Sequence, residues 1–278
     1  MTNSARQRIQ EIVDRLPPMN MAVLELLRLA GDPAASATDA GEVIMRDGVL
    51  LGSVLQEANS AMFSPRSPVT TAQSAVALIG MNRVTAIAVA TSSRVSLPTS
   101  AAAYGVDAES VRRHQRITVE ACLALGGNFS NEDRSELATV AVLHDMGKLV
   151  LSALGPGWLS TTGLLTAATD TDLIDLERDL FEVHHGTVGR MVCDHWGIPP
   201  HIGQAVELHH TPDGGTRLAH GVYIADIVAN AIDPDHGEPA AAPDGQLDAS
   251  LALCGVGEIG RVVDRVERMM DRAAAVAG

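Results

Sequence analysis

His144 and Asp145 stand side by side in the stretch LATVAVLHDMGKLVL, residues 137–151. Leu137, Ala138, Val140, Ala141, Val142 and Leu143 leave a helix there no polar face, which places it in the interior. A carboxylate and an imidazole are costly in such a place unless they are paired or bind a metal. On one continuous helix His144 and Lys148 share a face, with Asp145 turned about 100° away. Lys148 is the sole lysine of the chain; the other nineteen of its 20 basic residues are arginine. A compact ammonium suits one metal-bound carboxylate or phosphate oxygen, a task that arginine's planar fork does not take over. The plainer alternative is a core histidine satisfied by hydrogen bonds beside a buried ion pair.

Other polar residues interrupt apolar helices in the same way: His114, His185, His209, His210 and Asp226. Together with His144 and Asp145 they make five histidines and two carboxylates on separate predicted helices. Imidazoles with a few carboxylates suit iron, manganese or zinc, and a carboxylate bridging two ions is common in such sets. His195 and His201 read as ordinary, partly exposed histidines. His220 falls outside the ligand set despite its nearness to Asp226, and His236 sits in a surface loop. Cys122, Cys193 and Cys254 are too widely spaced to form a ligand pair and fit a reducing cytosol.

The elements that must position these residues all read as helices. Hydrophobic residues make up 46% of the chain and aromatics only 3%, which suits an Ala/Leu/Val-packed helical protein. Helices are expected over residues 3–15, 19–30, 39–45, 50–61, 70–79 and 81–94, with Asp39/Glu42 and Thr70/Gln73 as capping pairs. Residues 95–108 read as a linker. Beyond it, helices are expected over 109–126, 131–151, 158–180, 188–196, 201–210, 218–232, 248–253 and 256–276. Gly155-Pro156-Gly157 and residues 233–247 read as loops. Charge divides the chain at the linker: residues 1–105 are net neutral, while residues 106–278 carry the whole net charge of −14 and all ten histidines. That division suggests two modules, 1–100 and 101–278, with any metal chemistry in the second. An acidic surface argues against nucleic acid as a partner. No leader pattern opens the sequence and no apolar run reaches membrane-spanning length, so a cytoplasmic location is expected.

The pattern H…HD…D resembles the signature of the HD superfamily of metal-dependent phosphohydrolases. A fuller set of motifs narrows this. LPPMNMAVLELLRLAGDP and SVLQEANSAMFSPRSPVTTAQSAVALIGMNRVTAIAVA resemble the N-terminal half of HDOD proteins, the HD-related output domains of bacterial signalling. RRHQ, AVLHDMGKLVL, ERDLFEVHHGTVGRMVCDHWGIPPHIGQAVELHHTP and ADIVAN continue the likeness over roughly residues 10–235.

The resemblance implies an all-α architecture, an N-terminal helical bundle packed on an HD-like helical core, and a bacterial regulatory role met through partner proteins. It does not by itself imply an enzyme. His144-Asp145 with Gly147-Lys148 is similar to the HD-x-G-K motif of active relatives. His114 and Asp226 stand at their preceding histidine and closing aspartate. His185 and the pair His209-His210 resemble positions of the HD-GYP cyclic-dinucleotide phosphodiesterases. HTPDGGT lacks the GYP element, which argues against cyclic-di-GMP hydrolysis. Ser110 stands where some bimetal members carry a glutamate. Glu182 and His184 replace the Gly and Asp more usual in HDOD relatives, and His184 is expected to be exposed.

Two functions follow from the likeness. One is a signalling module whose core keeps one or two divalent ions, iron or manganese before zinc. The other is a metal-dependent phosphohydrolase acting on a nucleotide or cyclic nucleotide, with Asp145 and Lys148 as catalytic groups. Oxidation at a di-iron centre is the remoter option.

Overall fold

A computed structural model of the chain describes residues 4–97, 101–154, 170–233 and 245–277. Their regular secondary structure is helical; the only β-pairing among them is an isolated bridge between Ala101 and Val106. The expected loop at Gly155-Pro156-Gly157, the first part of the 158–180 segment and the loop carrying His236 lie outside the described residues.

The first half contains α1 (Ala5–Asp14), α2 (Met21–Ala30), α3 (Ala37–Ile44), α4 (Gly48–Ala58), α5 (Ala72–Ile79) and α6 (Met81–Ser96). Local chemistry starts these helices. Ser36, not Asp39, caps α3 and forms a box with Asp39 at the third position. Thr71, not Thr70, caps α5 through the Ser74 amide. In both cases the hydroxyl lies one residue before the helix and three before the amide that it must reach. Gly80 separates α5 from α6 at φ +83°, a conformation that L side chains rarely adopt. The two axes differ there by 114°. Helices α2 to α6 pack on one another, whereas α1 crosses to the second half of the chain.

The second half contains α7 (Ala108–Leu125), α8 (Asn131–Leu143), α9 (Met146–Ser152), α10 (Asp170–Phe181), α11 (His185–His195), α12 (Pro200–Glu207), α13 (Arg217–Ile232), α14 (Gln246–Cys254) and α15 (Ile259–Ala277). Buried α13 lies against α7, α8 and α14, and α9 lies against α11. One apolar core runs from Ala5 to Val266 through both halves. Helix α6 packs on α8, and Arg83 of α6 forms a two-pronged ion pair with buried Glu120 of α7. Trp196 Nε1 donates to Pro17 O at 3.1 Å, pinning the loop after α1 to the end of α11. No single helix among the described residues is long and apolar enough to cross a membrane.

Among the expected boundaries that move, three matter for the site. The helix expected over 131–151 is two helices that break at His144-Asp145, where Asp145 takes φ −98° and ψ 5°. The helix expected from 188 begins at His185. The helix expected over 201–210 ends at Glu207, which leaves His209 and His210 in the turn beyond it.

Candidate metal centre

All seven sequence-predicted ligands meet in one place. His114 comes from the middle of α7 and His144 from the end of α8. Asp145 lies in the break before α9, and His185 opens α11. His209 and His210 follow α12, and Asp226 projects from α13. Six of the seven are buried; the Asp145 side chain keeps 19% of its surface exposed. The break in the helix brings Asp145 round to the same side as its neighbour: its Oδ2 lies 3.4 Å from His144 Nε2. The expected 100° divergence on a continuous helix therefore does not occur.

The donors fall into two groups that share Asp145. In the first, His114 Nε2 lies 3.2 Å from His144 Nε2 and 3.0 Å from Asp226 Oδ1. Asp145 Oδ2 faces this group. In the second, His185 Nε2 lies 3.3 Å from His209 Nε2 and 2.9 Å from His210 Nε2. Asp145 Oδ1 faces this group, 3.7 Å from both His185 Nε2 and His209 Nε2. One carboxylate thus offers one oxygen to each group.

The outer faces of the rings fix their protons. His144 Nδ1 is 2.9 Å from Ala141 O, and His209 Nδ1 is 2.6 Å from Val206 O. A carbonyl oxygen only accepts, so each Nδ1 carries the proton and donates it. His185 Nδ1 donates in the same way to the Glu177 carboxylate at 2.8 Å. The Nε2 lone pairs of these three rings therefore point inward, and those of His185 and His209 face each other. Lone pairs so arranged repel unless a cation lies between them. The donor set therefore fits a divalent transition metal, held by imidazole nitrogen and carboxylate oxygen and oriented from behind by hydrogen bonds.

For His185 and His209 electrostatics agree with this; the pKa of His144 is raised instead, because burial opposes its charge but Asp145 outweighs it. Burial holds the pKa values of His185 and His209 well below the usual histidine range, so both rings are neutral and ready to ligate. Burial pushes Asp145 upward, but His144 and Lys148 outweigh it and hold the carboxyl well below its ordinary value. Asp226 is likewise lowered: burial opposes its charge, and the hydrogen bond from His114 prevails. Lys148 Nζ sits 3.0 Å from Asp145 Oδ1 and 5.9 Å over the Tyr104 ring.

The remaining histidines stay out of the cluster. His195 is exposed and donates to Leu16 O at 2.9 Å, and His201 pairs with Glu136 at 2.6 Å. His220 is buried and bonded to Ser250 Oγ at 2.9 Å. His184 departs from the expected exposure. As the N-cap of α11 it folds back onto Thr187 Oγ1 at 3.0 Å, half-buried, and burial lowers its pKa to about 4. Two residues escaped the sequence reading. Glu177 is buried in ERDLFE among other acidic residues that carry no distinguishing mark, and Tyr104 lay within the expected linker.

An all-helical molecule with a histidine–aspartate cluster gathered from separate helices defines an HD-like protein. This chain belongs to the HDOD domain family, whose model matches residues 16–212. It is similar to the solved structure of an HDOD domain protein of unknown function from Geobacter sulfurreducens: TM-score 0.74, 16% identity, covering 98% of this chain and 96% of that one. A protein from Shewanella amazonensis SB2B, provisionally assigned as a phosphohydrolase, matches with TM-score 0.64 and 22% identity over 96% of both chains. At these identities the likeness is one of fold. An uncharacterized protein of Treponema pallidum (strain Nichols) is 20% identical over 239 residues, 84% of this chain and 45% of that protein. The chain therefore spans less than half the length of this relative.

Proposed function

We propose that this chain is a bacterial, cytoplasmic HDOD signalling protein whose HD-like core holds two divalent transition-metal ions, one in each donor group, with Asp145 between them. Iron or manganese suits the mixed imidazole and carboxylate set, and zinc is the next choice. The observation that carries this reading is the inward convergence of the Nε2 atoms of His144, His185 and His209, whose protons are committed outward. The N-terminal helices would meet partner proteins. Elemental analysis of purified protein tests the metal: two ions per chain are expected, one ion confines the metal to a single donor group, and metal-free protein from several preparations overturns the reading.

A second reading, hydrolysis of a phosphate ester such as a nucleotide, is favoured by Lys148 beside Asp145 Oδ1. Bound metal would supply Lewis acidity and a nucleophilic water. Lys148 would then offset charge developing on phosphate oxygens, an interaction stronger in the transition state than in the ground state. Lys148→Met keeps the apolar stem. It should cut turnover of an active phosphate ester at least about tenfold, the scale of roughly 1.4 kcal/mol, while metal content holds. A metal-loaded protein that hydrolyses nothing in a broad phosphatase and phosphodiesterase panel removes this second reading and leaves the first.

A further inference from the structure

The segment between α6 and α7 joins the first half of the chain to the helix that carries His114. Within it, Ala102–Tyr104 forms one 3-10 turn, closed by the bridge between Ala101 and Val106. The turn packs on α9, the helix of Lys148. Tyr104 is buried, and its hydroxyl donates to Glu177 Oε1 at 2.5 Å across 73 residues of sequence. Glu177 has no exposed surface. Its carboxylate also accepts the backbone N–H of His185 at 2.8 Å and the Nδ1–H of the same residue at 2.8 and 2.9 Å. Glu177 therefore has the junction on one side and, on the other, a histidine whose Nε2 faces the donor cluster.

We propose that Tyr104 and Glu177 form a buried relay that positions His185 and carries the occupancy of the metal centre to the segment between the two halves. The relay rests on the metal centre proposed above. His185, once coordinated through Nε2, donates more strongly from Nδ1, because withdrawing electron density from one ring nitrogen makes the N–H of the other more acidic. Glu177 is then held harder against His185, and neighbouring hydrogen bonds of one chain strengthen together. Tyr104, and with it the turn at 101–106, is held more firmly in the loaded protein than in the metal-free one. A purely structural Glu177, serving only to cap α11, would change stability when replaced but would not make the junction respond to metal.

The test uses the whole chain with Co(II) as a spectroscopic probe. It measures affinity by chelator competition, the Co(II) absorption spectrum, and amide hydrogen exchange across residues 101–107 with and without the ion. In the wild type, Co(II) should slow exchange at the junction. Glu177→Gln keeps the side-chain shape and should weaken Co(II) binding about 10–100-fold and alter the spectrum, as loss of an orienting partner does. Glu177→Asp should restore part of that loss. Tyr104→Phe should bind Co(II) within a few-fold of wild type yet lose the metal-dependent protection. Unchanged affinity and spectrum in Glu177→Gln, or full metal-dependent protection in Tyr104→Phe, overturns the relay while leaving the metal centre standing. A wild type that binds no Co(II) overturns the metal centre itself, and the relay with it.

Discussion

Asp145 is the residue on which both donor groups depend, because its two oxygens face different ligands. Asp226 touches only the group of His114 and His144. The two carboxylates should therefore be separable by elemental analysis. Asp145→Ala is expected to lose ions from both groups, whereas Asp226→Ala should lower the metal content and leave the ion held by His185, His209 and His210. Equal, complete loss in both variants would argue for a single shared ion, and full content in Asp145→Ala would place the metal elsewhere.

At the scale of elements, α9 and the start of α11 approach each other closely, and Gly147 makes it possible. A Cβ at Gly147 would lie 1.9 Å from His185 O, a clash with backbone that no rotamer relieves. The glycine of the HD-x-G-K run is thus a packing residue that lets His185 reach the cluster. Gly147→Ala should cost at least ~1–3 kcal/mol of stability in denaturant unfolding, the range of overpacked cores. Gly52, inside α4 with open space around it, makes the control: Gly52→Ala should stabilise by about 0.5–1 kcal/mol. If both changes behave alike, the steric account of Gly147 is wrong.

A second element-scale contact is the ion pair between Arg83 of α6 and Glu120 of α7, whose side chains are 10% and 1% exposed. It sits on the same helix as His114 and ties that helix to the first half. Removing Arg83 leaves the buried Glu120 charge alone, whereas removing Glu120 leaves Arg83 paired with Glu57 at 3.2 Å. Arg83→Met should therefore cost about 3–5 kcal/mol and Glu120→Leu less, while the double change should recover most of the Arg83→Met loss. Additive losses in a double-mutant cycle would show that the two side chains do not act as a pair.

For the whole molecule, the site ties α7, α8, α11 and α13 together through side chains, so its state governs global stability. A ligand at about 100 times its dissociation constant stabilises the native state by roughly 2.7 kcal/mol. Chelation should lower the melting temperature by about 5–10 °C, given roughly 2–4 °C per kcal/mol for a chain of this size. A melting curve indifferent to a strong chelator would mean that hydrogen bonds alone satisfy the cluster.

The metal-free protein should also weaken in mild acid. Burial depresses the folded pKa values of His185, His209 and His220, and brings His184 to about 4. Their unfolded counterparts titrate near 6.5, so below that pH the unfolded chain binds more protons and stability falls. For His184 the loss runs from about 6.5 down to about 4. His144 works the other way. Burial opposes its charge, but Asp145 outweighs it and raises the pKa, so its contribution is full below 6.5 and fades as pH rises. Four depressed groups outweigh one raised group, and urea midpoints of chelated protein should drop between pH 7 and 5. A flat profile would refute this balance.

Residue types and their periodicity were enough to place this chain among all-helical proteins and to pick out His114, His144, Asp145, His185, His209, His210 and Asp226. The reason is that a polar side chain in an apolar helix is anomalous wherever the helix lies. Sequence likewise marked the turn glycine at Gly80, whose positive φ is a local demand. Folding alone decided the rest. The break at Asp145 interrupts a run whose local pattern favours one continuous helix; it fits the backbone approach of α11, 40 residues on, at Gly147. The assignment of one Asp145 oxygen to each donor group depends on where α8 and α12 end, where α11 begins, and how α7 and α13 lie beside them. Glu177 and Tyr104 look like a surface acid and a linker residue in sequence, because nothing local distinguishes them. Only the tertiary structure buries both and joins them to His185 by hydrogen bonds.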